Sequence, residues 1–175
     1  MAGGHGAYPQ TISTWFRTYG FADLDDTLTI GAYPLDSDDV AALQRVGIER
    51  VVNLVEDEEY APGQRDEVVE AYRRAGIEEA RLELVDYGGL QGDQLDAAVR
   101  TVSDALDHGA RTYLHCRAGW QRSAAVAAGV IAARRGIDID DALAQVQQMK
   151  PSADPLPHQR EDLRRWWEGR QARAN

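Results

Sequence analysis

Apolar and polar positions along this chain predict strands and helices in alternation. Short runs of β-branched and apolar residues at 27–31, 50–55, 81–85 and 110–114 predict buried strands. Apolar residues at helical spacing, with capping residues before them, predict helices beginning at Asp36 or Ser37 and near 64, 93, 124, 138 and 159. Strands that alternate with helices predict a single α/β domain with a central, mostly parallel sheet flanked by helices.

The chain has 175 residues, a length that favours one folded domain. Residues 1–14 contain glycine, proline and serine without periodicity, so we expect a flexible N-terminal arm before a single domain at 15–175. No apolar run approaches the length of a membrane span, and the first residues lack a signal pattern. We therefore expect a cytoplasmic protein.

Charge narrows the range of partners. The formal net charge is -10, and an acidic surface repels nucleic acid and anionic membranes. We expect no nucleic acid and no stable membrane association among the partners. The single cysteine excludes an internal disulfide and a multi-cysteine metal site. Cys116 is therefore either a core residue or a reactive thiol.

The segment 115–123 lies between a predicted strand and a predicted helix. Backbone N–H groups of such a turn can converge on one centre, and the helix that follows adds its positive N-terminal end. Gly119 lets the backbone curl tightly, and Arg122 supplies a planar fork for two oxygens of an anion. The same positive field stabilises a thiolate at Cys116. The segment thus predicts a site for a tetrahedral anion with a nucleophile at its floor.

This segment resembles the active-site pattern of the cysteine-dependent protein tyrosine phosphatases, because His115 and Cys116 are followed, after five residues, by Arg122 and Ser123. The chain is similar to the dual-specificity branch in particular. Residues 31–34, Gly-Ala-Tyr-Pro, and the segment from Gly47 to Leu54 look like that branch's early strand–helix–strand, and the resemblance runs from about Leu28 to the last helix. It implies a phosphatase domain over 15–175 that needs no metal and no cofactor.

The resemblance also implies a two-step mechanism. Cys116 attacks phosphorus to form a phosphocysteine, and an aspartate on a separate loop acts as general acid and then as general base. Asp86, which ends a predicted strand before a glycine-rich loop, is the candidate. His115 is expected to hold the cysteine backbone, and Ser123 to donate a hydrogen bond to the sulfur. The backbone amides that are expected to bind phosphate belong to Arg117, Ala118, Gly119, Trp120, Gln121 and Arg122.

The substrate is left open by the sequence. The main expectation is a phosphorylated protein or a small phosphoester, with phosphotyrosine foremost. The segment Glu58-Glu59-Tyr60 resembles a segment of the phosphatidylglycerophosphate-phosphatase-like branch, so a phospholipid or phosphoinositide is the alternative. Gln121 and Trp120 are unusual members of the loop and bear on this choice. A non-catalytic phosphate-binding module and a rhodanese-type sulfurtransferase rank lower. Nothing in the sequence predicts an oligomeric state.

Overall fold

The structure is a computed structural model, and it describes residues 11–175. The strands are β1 (Phe21–Asp23), β2 (Leu28–Gly31), β3 (Arg50–Asn53), β4 (Glu78–Arg81) and β5 (Thr112–His115). The helices are α1 (Thr14–Tyr19), α2 (Ser37–Arg45), α3 (Gln64–Ala75), α4 (Gly92–Asp107), α5 (Arg122–Arg135), α6 (Ile139–Met149) and α7 (Pro157–Ala174), and Asp57–Glu59 form a short 3₁₀ turn.

The five strands form one sheet in the order β1-β2-β5-β3-β4. The pairs β2–β5, β5–β3 and β3–β4 are parallel, and β1 runs antiparallel at one edge. Two hydrophobic clusters cover the sheet: residues of α4 to α7 build one, and residues of α1 to α3 build the other. The predicted fold class, an α/β domain with a mostly parallel sheet between helices, is confirmed.

The central strand β5 determines where the cysteine lies. Its last residue, His115, is in register with Gly31 of β2 and Asn53 of β3, so the chain leaves the sheet at the carboxyl ends of three parallel strands. Crevices at such carboxyl ends are the usual ligand sites of open α/β sheets. Helix α5 follows after the loop 116–121 and is buried along most of its length, and the small side chains of its alanine residues let it pack closely.

The prediction for the strand at 81–85 is wrong, because β4 covers Glu78–Arg81 instead. This edge strand carries mostly charged side chains, so its pairing depends on backbone hydrogen bonds and leaves little apolar signal. The apolar residue Leu84 is buried beyond the end of the strand, where its N–H donates to the carbonyl of Leu54.

Two helix starts and two short N-terminal elements also differ from the prediction. Helix α4 begins at Gly92 and has Gln91 as its N-cap in place of Asp93. Helix α7 begins at Pro157, a residue that suits the first turn because it has no N–H to satisfy. Helix α1 and strand β1 were not predicted, since six and three residues are too short to show a clear period.

Part of the predicted N-terminal arm belongs to the folded domain. Residues 1–10 lie outside the described residues, so the arm remains a prediction there. Ile12 is buried, and the side chain of Ser13 caps α1. The buried carboxylate of Asp39 accepts hydrogen bonds from both the N–H and the hydroxyl of Ser13. Within residues 11–175, no helix combines the length and the apolar character that crossing a bilayer requires.

Candidate active site

The loop between β5 and α5 packs directly on the end of β2. Gly119 has φ +76°, a conformation that glycine adopts without strain, and a Cβ atom there would lie 2.6 Å from the carbonyl carbon of Gly31. The space is therefore closed to any side chain. Gly119 is needed both for its dihedral angle and for the close approach of two backbones.

Hydrogen bonds on one side of this loop turn its amides to the other side. The carbonyl of Arg117 accepts from the N–H of Tyr33, that of Trp120 accepts from Asp154, and that of Gln121 accepts from Ala125. A trans peptide points its carbonyl and its N–H in opposite directions. The N–H that shares a peptide with each of these carbonyls therefore points away from the carbonyl's hydrogen-bond donor. Within the described structure, the N–H groups of residues 117–121 donate to no protein acceptor.

Helix α5 presents its N-terminus to the same place. Its N-cap residue, Gln121, makes no side-chain capping bond, so the first N–H groups of a 14-residue helix have no side-chain cap. Free N–H groups and the positive end of the helix dipole together favour an anion. The backbone amides predicted to bind phosphate thus share one turn between Cys116 and α5, and their binding of phosphate stays a prediction.

Cys116 lies at the floor of this turn, buried and without a disulfide bond. The hydroxyl of Ser123 is 3.2 Å from its Sγ atom, close enough to donate a hydrogen bond to a thiolate. His115 Nδ1 lies 3.0 Å from the carbonyl oxygen of Cys116, which can only accept, so Nδ1 carries the proton. Both neighbours are within contact distance of the cysteine, and their roles in the reaction stay predictions.

His115 is fully buried, and burial lowers its pKa to about 4. The hydrogen bond to the carbonyl of Cys116 opposes this shift but does not overcome it. Its Nε2 atom has no hydrogen-bond partner within residues 11–175. The ring is therefore neutral near pH 7, and it orients the cysteine without adding a positive charge.

Arg122 is the most deeply buried charged group of the site, with 1% of its side chain exposed. Glu59 holds it through two hydrogen bonds, from Nη1 at 2.8 Å and from Nη2 at 2.7 Å. Nη1 also donates to the carbonyl of Leu84, and Nη2 lies 3.2 Å from Asp86 Oδ1. The hydrogen bonds of Arg122 within the described structure all use Nη1 and Nη2, so its Nε–H is available to an anion in the cavity.

Opposing effects act on the pKa values of this ion pair. Burial lowers the pKa of Arg122, while the hydrogen bonds to Glu59 and the charge of Cys116 raise it, and the net pKa is raised. Burial raises the pKa of Glu59, while Arg122 and the N–H of Glu56 lower it, and the net pKa is lowered. Both groups are therefore charged at neutral pH. This contact of Glu59 was not predicted from the sequence, although the Glu-Glu-Tyr segment that contains it was noted.

Asp86 reaches the site from the loop between β4 and α4. Tyr87, which follows it, has φ 58°, an uncommon conformation for a residue other than glycine. Helix α7 holds this loop through three side chains. His158 Nε2 lies 3.0 Å from the carbonyl of Tyr87, Gln159 donates to the carbonyl of Gly88, and Asp162 accepts from the N–H of Leu90.

A cavity of about 180 Å³ opens above the sulfur. Its walls contain Asp86 and the loop residues Cys116, Arg117, Ala118, Trp120, Gln121 and Arg122, together with three aromatic residues that the sequence analysis did not place there, Trp15, Tyr19 and Tyr87. A larger cavity of about 470 Å³ lies between α4 and α7, and its walls contain no cysteine. The smaller cavity is therefore the candidate active site.

Lys150, the only lysine of the sequence, is buried at the end of α6. Its Nζ atom donates to the hydroxyl of Ser152 at 2.6 Å. Burial lowers the pKa of Lys150, and the charge of Cys116 acts in the opposite direction. The ammonium group thus adds positive potential near the thiol from a segment that is tied to the loop through Asp154 and Trp120.

Comparison with protein families agrees with this geometry. Residues 28–168 match the family described as "Dual specificity phosphatase, catalytic domain". The chain therefore belongs to this family of cysteine-dependent phosphatases, and the resemblance seen in the sequence is confirmed. The matched region contains the cysteine loop, Glu59, Asp86 and most of α7, whereas α1 and β1 lie outside it.

Three individual proteins compared with this chain share at most 29% sequence identity with it. The human protein "Phosphatidylglycerophosphatase and protein-tyrosine phosphatase 1" is 29% identical over 133 residues, which cover 71% of this chain and 65% of that protein. The chain thus spans about two thirds of this relative's length. A structure of PTPMT1 in complex with PI(5)P has a TM-score of 0.76 at 23% identity, covering 89% of this chain and 99% of that one. The active form of Tk-PTP has a TM-score of 0.74 at 24% identity, covering 85% and 96%.

Proposed function

We propose that this chain hydrolyses phosphate monoesters in two steps through a phosphocysteine at Cys116. The observation that carries the proposal is the convergence of a buried thiol, unpaired loop amides, a fixed guanidinium and a carboxyl group on one cavity. These are the parts that nucleophilic attack on a phosphate needs.

In the first step, the sulfur of Cys116 attacks phosphorus while the bond from phosphorus to the ester oxygen breaks. Asp86 gives its proton to that oxygen, so the leaving group departs as a neutral alcohol or phenol. The loop amides and Arg122 stabilise the charge on the other three oxygens. Arg122 Nη2 lies 3.2 Å from Asp86 Oδ1, so the acid and the guanidinium lie side by side in the cavity.

In the second step, water attacks the phosphocysteine and the bond from sulfur to phosphorus breaks. Asp86, now a carboxylate, takes a proton from the water. The Ser123 hydroxyl, 3.2 Å from the sulfur, donates a hydrogen bond to the departing thiolate. His115 stays neutral and keeps the Cys116 carbonyl in place.

The test of this chemistry is hydrolysis of p-nitrophenyl phosphate. The wild-type chain should turn the substrate over, and Cys116→Ser should not, because a serine hydroxyl is a poor nucleophile in a site built for a thiolate. Asp86→Asn should slow the reaction while it still allows phosphocysteine to be trapped and detected by mass spectrometry. Turnover that persists in Cys116→Ser would contradict the mechanism. A chain that binds phosphate but forms no phosphocysteine would be a binding module.

For the substrate, we propose a phosphorylated protein, with phosphotyrosine ahead of phosphoserine and phosphothreonine. Aromatic side chains at the mouth of the cavity support this choice. A net charge of -10 supports it too, since it opposes stable association with nucleic acid or an anionic membrane. The expected cytoplasmic location remains a prediction, which fractionation of cells that express the chain would test.

A lipid phosphate is the second candidate, and two observations favour it. The human relative carries phosphatidylglycerophosphatase in its name, and a similar fold binds PI(5)P. In addition, the Glu-Glu-Tyr segment resembles the phosphatidylglycerophosphate-phosphatase-like branch, and its Glu59 is in direct contact with Arg122. A panel of phosphotyrosine peptides, phosphoserine peptides and phospholipid vesicles separates the candidates. A higher kcat/KM on vesicles than on phosphotyrosine peptides would reverse the ranking.

A further inference from the structure

Helix α1 forms one wall of the cavity above Cys116, and it precedes the residues that match the family. Trp15 and Tyr19 both line the cavity, and they are one helical turn apart on the same face. Their ring centroids are 4.2 Å apart. Both side chains precede the region 28–168 that matches the family.

The two rings of α1 continue onto the phosphate loop. The guanidinium carbon of Arg117 lies 5.6 Å from the ring centroid of Trp15, within the range of a cation–π contact. The ring of Trp120 meets that of Tyr19 edge to face, with centroids 5.3 Å apart. We call the three side chains Trp15, Tyr19 and Trp120 the aromatic wall. Trp120 keeps 42% of its surface exposed, so part of the wall is open to a ligand.

The wall is fastened to the domain at the start of α1. Ser13 Oγ accepts from the N–H of Phe16, and Phe16 itself is buried in the core. Asp39, at the start of α2, accepts three hydrogen bonds: two from Ser13 and one from the N–H of Leu35. A helix of six residues would be marginal alone, so these contacts give the wall its defined position.

We propose that the aromatic wall is a binding subsite for the aromatic ring of an aryl phosphate, so that α1 makes phosphotyrosine the preferred substrate. This inference rests on the proposed phosphatase function. With phosphorus above Cys116 and the ester oxygen beside Asp86, the next atoms of the substrate lie in the same cavity as Trp15 and Tyr19. A flat ring in that position can make edge-to-face contacts with the wall on one side and with Tyr87 on the other.

Other phosphate esters would make weaker contacts with the aromatic wall. A phosphoserine side chain places a single methylene next to the ester oxygen, and a glycerol phosphate places a polar, flexible chain there. Neither offers a π face to the rings or to Arg117. The subsite should therefore change the affinity for aryl phosphates and leave both the bond-breaking step and phosphate binding unchanged.

Trp15→Leu is the test variant, because it removes the ring and keeps apolar bulk. We expect KM for a phosphotyrosine peptide to rise about tenfold, the size of one favourable aromatic contact, with kcat within about twofold of wild type. The kcat/KM for glycerol phosphate and the inhibition constant of inorganic phosphate should not change. Trp15→Phe should restore most of the lost affinity. Thr18→Ala, an exposed position of the same helix, is the control and should match wild type.

The ratio of aryl to alkyl kcat/KM is the readout, because partial misfolding lowers both values by the same factor. Tyr19→Leu provides a second, independent change of this ratio. Equal losses on both substrates would show that α1 only supports the loop, and an unchanged ratio in both variants would show that the rings do not meet the substrate. Either result overturns the inference, as would a wild-type preference for glycerol phosphate. A wild-type chain inactive on every ester would instead remove the proposed function.

Discussion

The ion pair between Glu59 and Arg122 gives the sharpest prediction about this site. The change is Glu59→Gln, which preserves the shape of the side chain and removes its charge. The carboxylate accepts from both Nη atoms of Arg122, and the Gln side chain can offer only one carbonyl oxygen. The variant therefore loses one hydrogen bond and leaves the guanidinium with less neutralising charge.

The expected loss of stability in Glu59→Gln depends on how deeply the ion pair is buried. Arg122 is 1% exposed and Glu59 9% exposed, so water screens the pair poorly. Removing one partner of a buried pair costs about 3–5 kcal/mol when the remaining charge has no other partner. Arg122 keeps Asp86 at 3.2 Å and the carbonyl of Leu84 at 2.9 Å, and the cavity gives water access. We therefore expect a loss of about 2–3 kcal/mol in the free energy of unfolding at pH 7.

The loss should depend on pH. Because the folded-state pKa of Glu59 lies below its ordinary value, its ionised form stabilises the folded chain fully above the unfolded-state pKa. That contribution disappears as the pH falls through the folded-state pKa. The difference between wild type and variant should be full at pH 7 and should shrink below pH 4.5, the ordinary value for this carboxyl.

Urea unfolding of both proteins, followed by circular dichroism at several pH values, measures this difference. Other titrating groups are common to the two proteins and cancel in it. Glu58→Gln is the matched control, since Glu58 is the exposed neighbour in the same 3₁₀ turn. Activity offers a second readout. With Arg122 less well oriented, Glu59→Gln should raise KM and lower kcat for p-nitrophenyl phosphate.

Two results would refute this reasoning. One is a loss below about 0.5 kcal/mol at pH 7, which is the ordinary scatter of surface substitutions. The other is a loss of full size that stays constant down to the acid limit of folding, because a lost hydrogen bond without a charge effect would behave that way. Glu58→Gln should leave both stability and kinetics unchanged.

Three further predictions concern the loop, the acid and the histidine. Gly119→Ala should weaken the binding of inorganic phosphate, measured by calorimetry, at least about tenfold, because the new side chain strains the backbone and clashes with β2. Gly136→Ala is the control: this glycine also has a positive φ, but the space around it is open, so phosphate binding should not change. Gln159→Leu removes one of the three contacts between α7 and the acid loop, so kcat should fall more for phenyl phosphate than for p-nitrophenyl phosphate, whose leaving group needs less protonation. Glu161→Gln, exposed on the same helix, should show no such difference. His115, with its pKa lowered from 6.5 to about 4, disfavours protonation in the folded state, so wild type should lose on the order of 3 kcal/mol as the pH falls between these values. Unfolding of His115→Gln should lack that loss, and an identical pH profile would contradict the burial argument.

Much of this protein is determined by local sequence. Helix α3 begins and ends where the period of apolar residues and its terminal glycine place it, and α6 begins after its predicted cap, Asp138. The cysteine loop was predicted because it, too, depends on residues that are close together in the sequence. Cys116 and Arg122 are joined by a short strand–turn–helix segment, so the geometry of the anion site depends on neighbouring backbone and on one glycine with positive φ.

Contacts between distant segments were decided by the tertiary structure. Glu59 is 63 positions from Arg122, and Gln159 is 71 positions from the carbonyl of Gly88. A pattern of apolar positions shows that a segment is buried, but it does not show which segment lies opposite. That depends on the order of strands in the sheet and on where each crossover returns. Strand β4 was misplaced and Trp15 was not assigned to the cavity because edge pairing and a six-residue helix leave weak periodic signals, and only packing against the sheet and against Asp39 positions them.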